Sequence, residues 1–175
     1  MAADREHLVP SSLRSPAHAL LMSLAVSMAC AGCAPNVGTT PAGGFAMPAS
    51  IVDPYLAIQG ALADDSTDGN LIRANAGNIA VAATALGAPA MKIDTAALQL
   101  SAAAEADRPD LENVREKFGL LSEAIDTYMT GLKLTPPEGV RVAFCPMVSK
   151  PWMQKGDTLA NPYYGKEMST CGNFR

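Results

Sequence analysis

Between Ser50 and Leu132 apolar residues recur three and four positions apart in four blocks, the spacing of one buried helix face. In the first block Ile51, Tyr55, Ile58 and Leu62 predict a helix from about Ser50 to Ala63. Pro54 fits only a first turn, which places the start at or near Ser50. Asp64-Asp65-Ser66 through Gly69 reads as a turn with solvated carboxylates. The second block predicts a helix over roughly Asn70–Leu86, with Ile72, Ala76, Ile79, Ala83 and Leu86 inward and Gly87 and Pro89 as the stop. A third helix is expected from around Lys92 or Asp94 to about Ala106, with Ile93, Ala97, Leu100 and Ala104 inward. The fourth is the most regular. Pro109, Asp110 and Glu112 suit a first turn, where carboxylates meet the positive end of the helix dipole. Leu111, Val114, Phe118, Leu121, Ile125, Tyr128 and Leu132 then form a bundle seam, and Pro136-Pro137 ends it.

After Gly139 the period changes. Val140–Phe144 alternates and reads as a short strand. The remainder is too rich in Pro, Gly and Asn for regular structure, and it carries aromatic side chains that it cannot bury alone. The expected fold class is therefore all-α: a four-helix bundle with an irregular C-terminal motif tail packed on it. Composition agrees, since hydrophobic residues reach 49% while aromatics supply only 5%, which suits a helical core of small side chains. The length of 175 residues fits one domain.

Upstream of the bundle, Arg5 and Arg14 precede an apolar run from Ala17 to Ala29. That run is short for a membrane span and suits a secretory leader. It ends in Cys30-Ala31-Gly32-Cys33, which resembles a bacterial lipoprotein signal with Cys33 as the lipidated residue. Cys30 as the acceptor, or an ordinary leader cleaved nearby, are the alternatives. The expected organisation is a leader over 1–33, a Gly/Pro/Thr-rich flexible tether over 34–48 and the helical domain over 49–175. The expected location is the bacterial envelope, facing the periplasm, with the lipid anchor as the only membrane contact.

Charge and histidine usage exclude several functions. The net charge is −4 and there is no basic run, so nucleic acid and anionic lipid are not expected partners. His7 and His18 both precede Cys33, leaving no histidine in the expected mature chain. A Ser-His-Asp triad, a Cys-His dyad and His-based zinc or copper sites are thereby excluded. Cleavage before Cys33 would split Cys30-Ala31-Gly32-Cys33, so the expected mature chain has no Cys-x-x-Cys motif; with no phosphate loop either, it is not expected to be an enzyme.

The remaining chemistry is sulfur. Cys145 and Met147 stand two apart and point the same way on extended chain. Met168 and Cys171 stand three apart and share a face on a helical turn. Converging, the four make a site of two thiolates and two thioethers, and Met153 is a further candidate ligand. Such donors select Cu(I) or Ag(I) over hard cations and over zinc. The alternative is a Cys145–Cys171 disulfide, expected in an oxidising compartment, with the methionines filling core and the domain acting as a structural or protein-interaction module. Trp152, Tyr163 and Tyr164 are expected to pack the tail, and Asn161-Pro162 and Gly165 to turn it.

In combination, Cys145-Pro146-Met147, Trp152 with Gln154, Asn161-Pro162-Tyr163-Tyr164-Gly165 and Met168 with Cys171-Gly172 resemble a domain-of-unknown-function family. That family occurs in periplasmic adaptor subunits of copper and silver efflux pumps and in small standalone exported proteins. Tyr55-Leu56-Ala57-Ile58-Gln59, Ala61-Leu62-Ala63, and Arg115 with Phe118, Leu121 and Ser122 carry the resemblance into the helices, over about residues 50 to 173. It implies heavy-metal handling outside the cytoplasm, prefers Cys145, Met147, Met168 and Cys171 as ligands, and implies a heavy-metal efflux component as a separate partner.

Overall fold

The computed structural model describes residues 44–106 and 108–175. The leader, Cys33 and most of the tether lie outside the described residues. Four helices come first: α1 (Ala49–Ala63), α2 (Gly69–Leu86), α3 (Met91–Ala103) and α4 (Leu111–Leu132). Each packs on the next along the chain. Local signals place the ends. Asp68 caps α2 by accepting from the Leu71 N–H at 3.0 Å, and Asp110 caps α4 by accepting from the Glu112 N–H at 3.0 Å. Gly87 leaves α2 at φ 78°, and Lys133 ends α4 in the left-handed region at φ 54°. A 3-10 turn over Ala88–Ala90 leads into α3, which starts at Met91. Pro54 is one residue deeper in α1 than a start at Ser50 would place it, and so lies beyond the first turn, because the helix begins at Ala49. Its missing N–H leaves the carbonyl of Ser50 free, and Ser50 is exposed to water.

The helical interior is built of Ile51, Ile58, Leu62, Ile72, Ile79, Ile93, Leu100, Phe118 and Leu121, all fully buried. Ala76, Ala80, Ala83, Ala96 and Ala97 fill the space around them, letting helices approach closely. The α4 seam departs from expectation at its end. Met129 is buried, whereas Leu132 is 49% exposed and Tyr128 half-buried. The last residues assigned to the tether are tied down. Met47 is buried, its N–H donates to the Thr135 carbonyl at 2.8 Å, and the Thr135 N–H donates to the Phe45 carbonyl at 3.1 Å.

The all-α expectation is overturned. The chain after α4 forms a three-stranded antiparallel sheet, β1 (Val140–Cys145), β2 (Lys150–Lys155) and β3 (Asn173–Phe174), in the order β2-β1-β3. The molecule is mixed α/β. The physical reason lies in β2. It packs against both α1 and α4, so Pro151, Trp152, Met153 and Gln154 are buried in succession and no polar alternation marks the strand. Pro151 also argues against a strand, yet it stands second on an edge strand, where a missing donor is tolerated.

Two tyrosines complete that edge. The Tyr55 hydroxyl accepts from the Met153 N–H at 3.2 Å and bonds Ser122 Oγ at 2.7 Å; the Tyr163 hydroxyl donates to the Pro151 carbonyl. An unpaired strand edge is thus satisfied inside the core. Burial pushes both phenols above their ordinary value of 10.0, so they act as neutral hydrogen-bonding groups. The Tyr55 ring stacks on Phe118 at 4.9 Å, joining α1 to α4. Tyr55→Phe is expected to cost about 1–3 kcal/mol, because the buried Met153 N–H loses its acceptor while Ser122 keeps its bond to the Phe118 carbonyl. Urea denaturation at unchanged slope measures this. A loss below about 0.5 kcal/mol would show that water satisfies the N–H instead.

Candidate functional site

Cys145 ends β1 and is fully buried; Cys171 is half-buried in the turn leading to β3. Phe144 pairs with Asn173, which brings Gly172 beside Cys145 and Cys171 one residue further on. Both are free thiols. Burial pushes the Cys171 thiol up from its ordinary 9.0, and the neighbouring Cys145 side chain acts in the same direction. Strand register makes the two cysteines near neighbours across β1 and the turn into β3. A cation between them would reverse the upward shift, since metal ions favour the deprotonated thiols they bind.

The motif residues hold Cys171 there. Asn161 is fully buried: its Nδ2 donates to the Cys171 carbonyl at 2.7 Å, and its Oδ1 accepts from the Tyr163 N–H at 2.8 Å. Its backbone N–H reaches the Ser169 carbonyl at 2.8 Å, and the Cys171 N–H closes onto the Met168 carbonyl at 3.0 Å. Gly172, at φ 141°, lies flat on Trp152: a Cβ there would stand 2.6 Å from Cη2 of the indole and 2.8 Å from the Phe144 carbonyl oxygen. The indole N–H donates to Gln154 Oε1 at 2.9 Å, the same oxygen accepts from the Ala160 N–H at 3.0 Å, and Gln154 Nε2 donates to the Thr158 carbonyl at 2.7 Å. Gln59 on α1 reaches the Ala160 carbonyl at 2.7 Å. Three buried amides thus replace regular secondary structure, and among the described residues every buried side-chain nitrogen and oxygen has a partner.

A charged clasp fixes the tail to the helices. Arg115 of α4 pairs with Asp65 at 2.5 Å and donates to the carbonyls of Leu62 and Pro162, each at 3.0 Å. Asp65 also accepts from the Lys166 N–H at 3.1 Å. Arg115 first, and the Lys166 N–H next, hold the Asp65 carboxyl below its ordinary 3.8. Asp65 was expected to be a solvated turn residue. A turn carboxylate gives no sequence sign of a partner 50 positions away.

The other sulfurs are placed differently. Met147 is 63% exposed in the four-residue turn Pro146–Ser149 between β1 and β2, so the extended Cys145-Pro146-Met147 segment is absent. Met168 is half-buried at the end of a 3-10 turn, Gly165–Met168, on the same short loop as Cys171. Met153 pairs with Val142, whereas Cys145 shares the opposite face of β1 with Ala143 and its partner Trp152. The sheet therefore separates Met153 from Cys145. It is 3% exposed and lines, with Tyr55, Ser122 and Met129, a cavity of about 10 Å³, the size of one water.

Among the described residues no three His, Cys, Asp or Glu side chains converge on a point that could hold a metal. An ion at the thiol pair would take further ligands from thioether, backbone or solvent. Met168 is the thioether on the Cys171 loop, and Met147 adjoins Cys145 on the hairpin turn. This donor set fits a soft monovalent ion and fits neither calcium nor magnesium. No protein-family profile, curated protein or solved structure matches the chain.

Proposed function

We propose that this chain is an exported soft-metal-binding protein that takes up Cu(I) or Ag(I) as cargo at Cys145 and Cys171, for heavy-metal resistance in the cell envelope. The observation that carries the reading is that strand pairing brings two free cysteines next to one another, with the Cys171 carbonyl held by the buried Asn161. Two thiolates supply the charge and softness that a monovalent d10 ion selects. Met168 and Met147 complete a labile sphere, and the exposure of Met147 gives an incoming partner a thioether through which to draw the ion away. The resemblance to domains of copper and silver efflux adaptors points the same way and makes an efflux component the expected recipient. The lipid anchor at Cys33 belongs to this reading and places the domain beside the membrane that holds such a pump.

The test is an anaerobic titration of the reduced chain, from Ala34 onward, with Cu(I) against a chromophoric chelator. One equivalent is expected to be withheld from the chelator. Cys145→Ser and Cys171→Ser should each abolish this, and Met168→Leu should weaken it by about tenfold, or about 1.4 kcal/mol. Met147→Leu should change the rate of transfer to the chelator more than the end point. Equal retention in the double cysteine variant would sink the proposal, and absence of any competition would leave a structural module.

A further inference from the structure

We infer that Cys171 and Cys145 form a thiol–disulfide exchange site for small-molecule disulfides such as oxidised glutathione, in which Cys171 attacks first and Cys145 resolves. The regulatory consequence, that oxidation closes the site to metal and bound metal closes it to oxidation, rests on the soft-metal reading; the exchange chemistry does not.

The asymmetry of the pair carries the inference. Cys145 is 0% exposed, at the end of β1 and beneath the tail. No disulfide reagent reaches it without opening the sheet. Cys171 is half-buried in a turn outside the strands, and its backbone is pinned at both ends, by Met168 through its N–H and by Asn161 through its carbonyl. Its backbone is therefore fixed beside the end of β1, while its side chain keeps partial exposure to solvent. In the register that pairs Phe144 with Asn173, Gly172 falls opposite Cys145 and Cys171 stands one residue beyond. The flat contact of Gly172 on Trp152 lets the chain beside Cys171 come this close to β1.

The chemistry balances as two exchanges. The Cys171 thiolate attacks one sulfur of glutathione disulfide, the external S–S bond breaks, and one glutathione leaves as thiolate. The Cys145 thiolate then attacks Sγ of Cys171 and displaces the second glutathione. The protein dithiol loses two electrons and two protons; the glutathione disulfide gains both. The product has no thiolate to offer a metal. An ion held by both sulfurs occupies the lone pairs that either attack requires.

The experiment uses the full chain with Cys30→Ser and Cys33→Ser, so that only this pair reports, reduced and exposed anaerobically to oxidised glutathione. Alkylation and mass spectrometry then count thiols and adducts. The parent is expected to lose both thiols and retain no glutathione. Cys145→Ala, with Cys145→Ser as a second variant should alanine unfold the chain, is expected to trap one glutathione on Cys171. Cys171→Ser is expected to keep its Cys145 thiol, reacting more than about tenfold slower than Cys171 does in Cys145→Ala. Prior loading with one equivalent of Ag(I) is expected to protect both thiols. A parent that keeps both thiols, or a Cys145 that is trapped as readily as Cys171, overturns the inference. Absence of protection by Ag(I), with the other arms as expected, overturns the metal reading and its gating and leaves the exchange site standing.

Discussion

Trp152→Ala is expected to lower the unfolding free energy by about 3–5 kcal/mol, the range for removing a fully buried large aromatic. Trp152 is 1% exposed in β2, meets Tyr163 edge-on at 6.1 Å and stands opposite Ala143 of β1. Alanine there opens a cavity under Gly172 and removes the N–H that Gln154 Oε1 accepts. The surrounding loop has no regular ladder with which to collapse into the gap, because buried amides hold it. Urea denaturation measures the loss. The same variant should weaken metal retention, since the turn bearing Cys171 rests on the indole. Trp152→Phe keeps most of the apolar area and should lose markedly less. A loss under about 1 kcal/mol in Trp152→Ala would show that the tail folds independently of the helices.

Gly165→Ala is the second large effect, and it acts through backbone and charge together. Gly165 has φ 57°, where an alanine costs about 1–2 kcal/mol. Its Cβ would also collide with the Asp65 carboxylate and stand 2.5 Å from Arg115 Nη2. The clasp must open, releasing charge-assisted bonds from Arg115 and the Lys166 N–H. The Asp65 side chain is 37% exposed and that of Arg115 17%, so water replaces part of what is lost. The expected total is about 2–3 kcal/mol at neutral pH. Its pH dependence follows from Asp65, whose folded carboxyl titrates below its ordinary 3.8. A depressed folded value means that the ion pair contributes fully above the unfolded value and is lost as pH falls through the folded one. The gap between parent and Gly165→Ala should therefore narrow below about pH 4, leaving only the backbone strain. Denaturation at pH 7 and pH 3 checks this, with Asp65→Asn as a control that removes the charge without the strain. A gap that stays constant across that range would rule out the clasp as a source of stability.

What could be read from the sequence was local. The helices follow from apolar residues three and four apart, from Asp110 and Glu112 as an acidic first turn and from Gly87 and Pro136-Pro137 as stops, and each signal acts within one or two turns of chain. β1 was legible because Val140–Phe144 alternates, and the sulfur residues were legible by type. β2 was not, since a strand buried on both faces shows no alternation and Pro151 obscures it further. The site was legible only as an inventory. Met147 at an exposed turn, Met153 on the far face of the sheet and Cys171 beside Cys145 all depend on strand register. Register depends on which partner buries Trp152 and satisfies the edge of β2, and those partners are Tyr55 on α1 and Tyr163 in the tail. The contact between Asp65 and Arg115 likewise joins segments 50 residues apart. Short-range periodicity is written in neighbouring residues, whereas the meeting of distant thiols and charges is settled by the packing of the whole chain.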